Sequence, residues 1–435
     1  MGSNPPAPPL RIAIVGAGIA GLALAAALTK KRPHLSVAVY EAVPAHRDVG
    51  AGLALHRNAL GALALLGPEL HGVYLAKATA CAAEVDEEVV TEVILAHGPG
   101  AGETVAELGR ARGRKSVSRA DLLEGLAGLV PEGVVRFGRR VVGVEDGGVE
   151  GGVRVRFDGG GEERADCVIG ADGIRSVVRG YLLGEEHEAR APKNRDGWQV
   201  YRTLVSVEEA RAQIGERWTK AVPILLGPRG HVNCIPLNKG TRLSAGVAVR
   251  GAALEDGGRK TLDPELYKDY TEDAQRIVRM VAKDTSASWS VGDHDHAPFY
   301  HRGVVAMMGD AAHAALPFAG NGAAQALEDA AVLDHLFGEV KKLSDIEPAL
   351  AAYDAIRRPR SQAVVDLART FGRVYAYADK DICESPEKIR AFFARAAVFT
   401  NEVDLKKQND DVMKVFEKAI KGQSKDITER AEKLD

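Results

Sequence analysis

Gly16, Gly18 and Gly21 stand at the spacing G-x-G-x-x-G directly after the short, non-alternating apolar run 10–15, broken only by Arg11, and Glu41 closes a second short run at 36–40. These residue types suit a dinucleotide. Gly16 permits a tight turn, Gly18 lets backbone approach a pyrophosphate, and Gly21 lets a helix pack close to the strand. The next helix offers unpaired N–H groups and partial positive charge to phosphates, and the Glu41 carboxylate can accept from two ribose hydroxyls. The unit alone does not separate FAD from NAD. Asp310 ends another buried run, 303–309, where ligands of open α/β sheets bind, so its carboxylate can hold a sugar-type hydroxyl. Arg202 lies in WQVYRTL, which puts Val200, Arg202 and Leu204 on one face and Gln199, Tyr201 and Thr203 on the other. A cation between two apolar neighbours is costly unless it meets an anion. His231, in HVNCIP, shares a face with Asn233 and Ile235 and is a candidate base near neutral pH.

These residues need a frame. The spacing predicts a helix over 19–30 between two buried strands. A loop at 44–60 carries a second glycine pair, Gly50 and Gly52, before another helix. Residues 116–129 predict a Ser-capped helix with Leu122, Leu123, Leu126 and Leu129 on its inner side. Glycine-separated β runs at 134–160 predict a hairpin or meander, and the strand at 165–171 ends in Asp172-Gly173. From 185 to about 289 short strands alternate with loops, with one helix over 264–283, which predicts a mixed β layer inserted into the first domain. A helix follows at 323–337. From 348 onward the chain is helical and charged, with Arg357, Arg358 and Arg360 around Pro359, and an amphipathic helix begins near 408. The glycines at 98–102 and 147–152 lie in β-turn surroundings, so no second dinucleotide unit is expected.

The expected division is a flexible leader at 1–9, a nucleotide-binding domain in three parts (10–75, 113–184, 296–345), a β-layer segment at 76–112, a substrate-binding β domain at 185–295 and a helical region at 346–435. With 46% hydrophobic residues the chain can bury a sizeable core, and a net charge of -3 points to neither nucleic acid nor an anionic membrane surface. Cys81, Cys167, Cys234 and Cys383 have no paired spacing, so neither a metal site nor a disulfide framework is indicated. There is no signal peptide pattern and no 18-residue apolar run, and a cytoplasmic protein is expected.

Three pieces stand together: the glycine unit, CVIGADGIRSVVR at 167–179 and MGDAAHAALPFAGNGAAQALED at 308–329. In this order the trio resembles the single-component (group A) FAD-dependent aromatic hydroxylases. The loop at 49–52, SRADLL around Arg119 and YDAIRRPR at 353–360 are similar to the salicylate hydroxylase branch, fungal type. The resemblance implies a p-hydroxybenzoate hydroxylase-like α/β fold, with a Rossmann-like FAD-binding domain, an inserted mixed β-sheet substrate domain and C-terminal helices. It implies one non-covalent FAD, NADH or NADPH as co-substrate, O2, and hydroxylation of a small phenolic or aromatic acid, decarboxylative where the substrate is salicylate. A monomer or homodimer with no nucleic-acid or membrane partner is expected.

The resemblance also places Ala54, Arg119, Asp172, Asp310, Pro317, Gly320, Asn321, Gly322 and Ala323 at the FAD, with amides at 322–323 facing its pyrimidine end. It makes Arg202 the anchor of a substrate phenolate. Relatives carry His where Phe318 stands and often Tyr where Ile235 stands, so His231 becomes the candidate to replace that Tyr. His313 is expected to be structural. The alternatives are a hydroxylase of a polyketide-derived or N-heterocyclic phenol, a non-hydroxylating flavin oxidoreductase, and a non-catalytic FAD-binding protein. A flavin halogenase would need W-x-W-x-I-P, and Trp198, Trp218 and Trp289 do not form it.

Overall fold

The structure is a computed structural model that describes residues 8–45, 52–80, 88–112, 115–147, 152–237, 240–251 and 261–431. The leader at 1–7, the glycine pair's Gly50 and Cys81 lie outside those residues. The chain opens with β1 (Leu10–Val15), α1 (Ile19–Lys31) and β2 (Leu35–Tyr40). Then come α2 (Arg57–Leu66), the hairpin β3 (Glu88–Leu95) and β4 (Thr104–Arg112), α3 (Arg119–Ala127) and the short β5 (Val135–Arg136). After an antiparallel meander over Val141–Ala165, β6 (Cys167–Gly170) leads into α4 (Val177–Leu183). Five strands follow: β7 (Gln199–Ser206), β8 (Ile224–Gly227), β9 (Gly230–Leu237), β10 (Arg242–Val249) and β11 (Ser288–Ser290). β12 (His301–Arg302) and β13 (Val305–Met307) precede four helices: α5 (Gly322–Phe337), α6 (Ile346–Tyr375), α7 (Pro386–Asn401) and α8 (Leu405–Ala431).

Two sheets organise the molecule. One has the order β12-β13-β6-β1-β2-β5 and is parallel except at β12. Its central strands are apolar without alternation because helices cover both faces. The other has the order β11-β7-β10-β9-β8-β3-β4, with β8 and β3 parallel and the remaining neighbours antiparallel. The β3–β4 hairpin therefore joins the same layer as the strands after residue 199. One face of that layer packs on α6 and α7 through Trp198, Val200, Phe318, Phe371 and Phe393. The other packs on the helix Glu272–Ala282 through Tyr201, Val247 and Ile277.

Two local expectations change. Residues 115–118 form a strand that pairs with Gly52–Leu53, and α3 starts only at Arg119. Ser118 is the cap, its Oγ accepting from the Asp121 amide at 3.0 Å. The helix expected over 264–283 splits into a 3-10 turn at Pro264–Tyr267 and the helix Glu272–Ala282, because Tyr270 between them bridges to His97.

The C-terminal helices are held by buried charge. Arg357 of α6, fully buried, donates to Glu328 (2.5 Å) and Asp329 (2.8 Å), both fully buried on α5. It also donates to Gln325 at 2.7 Å and to Gln408 of α8 at 3.0 Å. Arg360 adds two bonds to Glu328. Burial alone would push the Asp329 carboxyl up, but His313 and Arg357 beside it hold it down at about 2. Removing one partner of such a set leaves a charge buried without compensation. Arg357→Ala should therefore lower stability by about 3–5 kcal/mol, seen in urea or thermal unfolding. A loss below about 1 kcal/mol would show that the network adds little.

Candidate active site

The ends of β1, β6 and β13 lie side by side, since Val15 pairs with Gly170 and Gly170 with Met307. The three motifs therefore meet at one sheet edge. Gly16 has φ +102° and faces the Ala171 carbonyl so closely that no Cβ fits. Gly21 presses equally on the Gly16 carbonyl, which sets α1 tight against the turn. A Cβ at Gly309 would lie 3.1 Å from Ala20 and 3.4 Å from Ala326. The first turn of α1 and the second turn of α5 thus converge on the loop that presents Asp310. Asp329 holds that loop, accepting from the Gly309 amide at 2.8 Å and facing His313 Nε2 at 2.7 Å. His313 is structural in this sense.

Asp310 is exposed, and its carboxylate has no hydrogen bond among the described residues. Surrounding protein pushes its carboxyl up, while the charges of His313 and Arg119 pull it down. Arg119 itself is exposed at the start of α3. Pro317, Gly320 and Gly322 are exposed as well, and Ala323 is half-buried. The structure leaves open space where a Cβ would stand on Gly18, Gly320 and Gly322. Ala54 follows the Gly52–Leu53 strand and is half-buried. A carboxylate without a partner, exposed glycines and the uncapped amides of a sixteen-residue helix fit a dinucleotide of FAD type.

Three expected contacts have protein partners. Glu41 accepts from the Ala17 amide (2.8 Å) and the Val43 amide (3.0 Å), so it braces the glycine turn while retaining lone pairs. Asp172 caps α4, accepting from Ser176 Oγ and the Val177 amide. Asn321 is buried, and its Oδ1 accepts from Asn58 and Gln325 rather than facing outward. Sequence reasoning missed Arg179, fully buried, which donates to the carbonyls of Ala189, Ala311, Ala312 and Asp295 and so fastens the Asp310 loop to α4. Burial lowers it to about 10. Its partners are backbone carbonyls, which leave no residue-type signature.

The β layer supplies the facing wall. In register, Arg202 of β7 lies opposite Gly246 of β10, and Gly246 opposite Asn233 of β9. Val200, Ala248 and His231 form the next row, and Leu204, Ser244 and Ile235 the row beyond. Phe318 packs on His231 (5.2 Å) and Trp198 (4.4 Å), so these rows face the Pro317–Ala319 loop. Arg202 has Nε and Nη1 buried without partners, with Trp289 5.4 Å from its guanidinium. Burial lowers its pKa, and no carboxylate offsets that. His231 is corrected. It is packed between Phe318 and Tyr375, and burial lowers it to about 3, so it is neutral and a poor base at physiological pH.

Comparison with known proteins agrees with this arrangement. The sequence model of the FAD binding domain family matches residues 119–368, and that of the NAD(P)-binding Rossmann-like domain matches 14–54. The 6-methylsalicylate 1-monooxygenase of Aspergillus terreus is 35% identical over 422 residues, covering 95% of this chain and 94% of that protein. The chain belongs to the FAD-dependent aromatic hydroxylases. A salicylate hydroxylase of Pseudomonas putida is 32% identical over 398 residues, covering 86% of this chain and 88% of that one. The solved structure of a salicylate hydroxylase substrate complex has a TM-score of 0.78 at 28% identity, covering 93% of this chain and 98% of its own. The hydroxylase fold expected from the motifs is thus shown, and the hydroxylase uses FAD with NAD(P)H. Among the described residues no helix is long and apolar enough to cross a membrane.

Two predictions follow from the geometry. Asp310→Ala should weaken FAD binding roughly 10- to 150-fold, the worth of a charged hydrogen bond, measured by flavin fluorescence on titration of the apoprotein. Unchanged affinity would remove Asp310 from the cofactor site. His231 sits at about 3 folded against an ordinary 6.5, so the unfolded chain takes the proton first. Its contribution is complete above 6.5 and lost as pH falls from there toward 3. His231→Phe should remove about 2 kcal/mol of the stability loss between pH 7 and 5. An identical pH slope in the variant would contradict the buried neutral imidazole.

Proposed function

We propose that this hydroxylase acts on a small aromatic acid of the salicylate type, and that Arg202 holds the ring's anionic group in front of the flavin. The observation that carries this reading is the Arg202 guanidinium, two of whose nitrogens are buried without partners, on the sheet face turned toward the Pro317–Ala319 loop. Two relatives whose names specify salicylate-type substrates span nearly the whole chain and support it. Decarboxylative hydroxylation follows if the attacked carbon bears the carboxylate.

Reduced FAD, when bound, supplies activated oxygen to the ring. The chain's own residues do the rest. Asp310, Arg119 and the amides at 322–323 hold the cofactor, with Gly16, Gly18, Gly21, Glu41, Ala54, Pro317 and Gly320 shaping its bed. Asp172 and Asn321 contribute by fixing α4 and the start of α5. Arg202 holds the ring's carboxylate, orients the ring and, with the hydroxyl ortho to that group, favours its ionisation by opposite charge. Trp198, Phe318 and Tyr375 form an aromatic flank, with ring centroids 4.4 Å apart for Trp198 and Phe318, that keeps water off the reacting carbon. In this reading the segments 10–75, 113–184 and 296–345 act as one FAD-binding unit, while 76–112 and 185–295 form the substrate layer and 346–435 buttresses both. A cytoplasmic monomer or homodimer accompanies it; the free thiols of Cys167, Cys234 and Cys383 suit a reducing compartment.

Arg202→Gln should retain FAD and the unstimulated rate of NAD(P)H oxidation. Stimulation by aromatic acid should fall about 10-fold or more, or oxidation should uncouple and release hydrogen peroxide. Residual hydroxylation should shift to higher pH, because the phenol loses its nearest positive charge. Arg202→Lys should be impaired too, since it loses planar two-point contact. Normal coupling with an unshifted pH profile in Arg202→Gln would make Arg202 structural.

A further inference from the structure

The face that carries Arg202 is a trough. Its floor is β10, whose residues here are Ser244, Gly246 and Ala248, all small and buried. One wall is Leu204, Arg202 and Val200 of β7, and the other is Ile235, Asn233 and His231 of β9. The walls stand roughly 10 Å apart at the backbone, two strand spacings. Leu204, Arg202, Ile235 and Asn233 are half-buried, whereas His231 and Val200 are sealed by the aromatic flank. The accessible part of the trough therefore centres on the Arg202–Gly246–Asn233 row.

That row has one cation and one neutral amide. Asn233 turns its side chain over the bare Gly246, toward Arg202: its Oδ1 is 2.7 Å from where a Cβ on Gly246 would stand. The other polar groups are poorly placed, because Ser244 lies in the floor and His231 is packed on two rings. An amide can accept from a hydroxyl or donate to one without placing a second charge beside Arg202.

We propose that Asn233 is a second substrate-binding residue, hydrogen-bonding a ring hydroxyl while Arg202 holds the ring's anionic group, with Gly246 kept bare so that its amide can reach across. This rests on the aromatic-acid reading above and narrows it: the preferred substrate carries both an acidic group and a hydroxyl. Discrimination then comes from Asn233, because an analogue lacking the hydroxyl leaves the amide unpaired.

The test is a pair of flavin difference-spectrum titrations of the FAD-loaded protein, one with salicylate and one with benzoate, which lacks the hydroxyl. In the wild type salicylate should bind about 10-fold or more tightly than benzoate. In Asn233→Leu that ratio should fall to near one, through loss of salicylate affinity with benzoate little changed. A residue that merely supports the sheet would weaken both ligands alike. Gly246→Ala places a methyl against the Asn233 amide and should lower the ratio the same way, so it decides the matter if Asn233→Leu loses FAD. Ligand binding that requires Arg202 but keeps its wild-type ratio in both variants overturns the role of Asn233 alone. No binding of either acid by the wild type overturns the aromatic-acid reading and this one with it.

Discussion

The contact between Arg357 and the adjacent carboxylates Glu328 and Asp329 is the interaction on which the rest of the site depends. It is made wholly inside the protein, between α6 and the middle of α5. Its effects run in two directions. Through Asp329 it fixes the Gly309 amide and His313, and so the loop that presents Asp310. Through Glu328 it fixes Asn58 and, with Gln325, the buried Asn321 at the start of α5. The proposed cofactor bed is thus set from behind by charge that lies wholly inside the protein. An apolar core of equal volume could match it in stability. It could not aim a backbone amide and an imidazole from one carboxylate.

The same logic, inverted, marks the substrate layer. Arg357 and Arg179 are both fully buried, and each is surrounded by acceptors. The Arg202 guanidinium meets an aromatic ring and, among the described residues, no acceptor, with two nitrogens unpaired. Burial lowers its pKa without an opposing charge, while the carboxylates around Arg357 raise that residue's despite complete burial. Arg357 and Arg179 are satisfied by the protein itself, whereas the half-buried Arg202 keeps donors that suit the proposed ligand anion. Phe318 completes the contrast. Gly372 leaves it room, since a Cβ there would lie 2.6 Å from its ring, and Trp198 and His231 close over it.

Much of this was legible in the sequence because it depends on local spacing. The glycines at 16, 18 and 21 and the apolar runs of β1, β6 and β13 announce a parallel sheet whose strand ends hold a nucleotide. Period-two alternation put Arg202 between Val200 and Leu204, and His231 beside Asn233 and Ile235, where the register places them. What was not legible depends on partners far along the chain. Arg357 reads as one charge in a charged helix until the fold brings Asp329, 28 residues earlier, against it. His231 reads as a base until Tyr375 and Phe318 pack on it and exclude water. Asp172 and Asn321 sit in ligand-binding motifs, yet backbone and amide donors within the fold claim them first.

The central claim is that the unpartnered cation on the β layer exists for the ring's anionic group. A crystal structure of the FAD-loaded protein with salicylate tests it most directly. The account predicts the ring over the Gly246 row, with an anionic oxygen about 3 Å from the Arg202 guanidinium. A ring bound elsewhere, or Arg202 paired with a protein carboxylate in that complex, would contradict it.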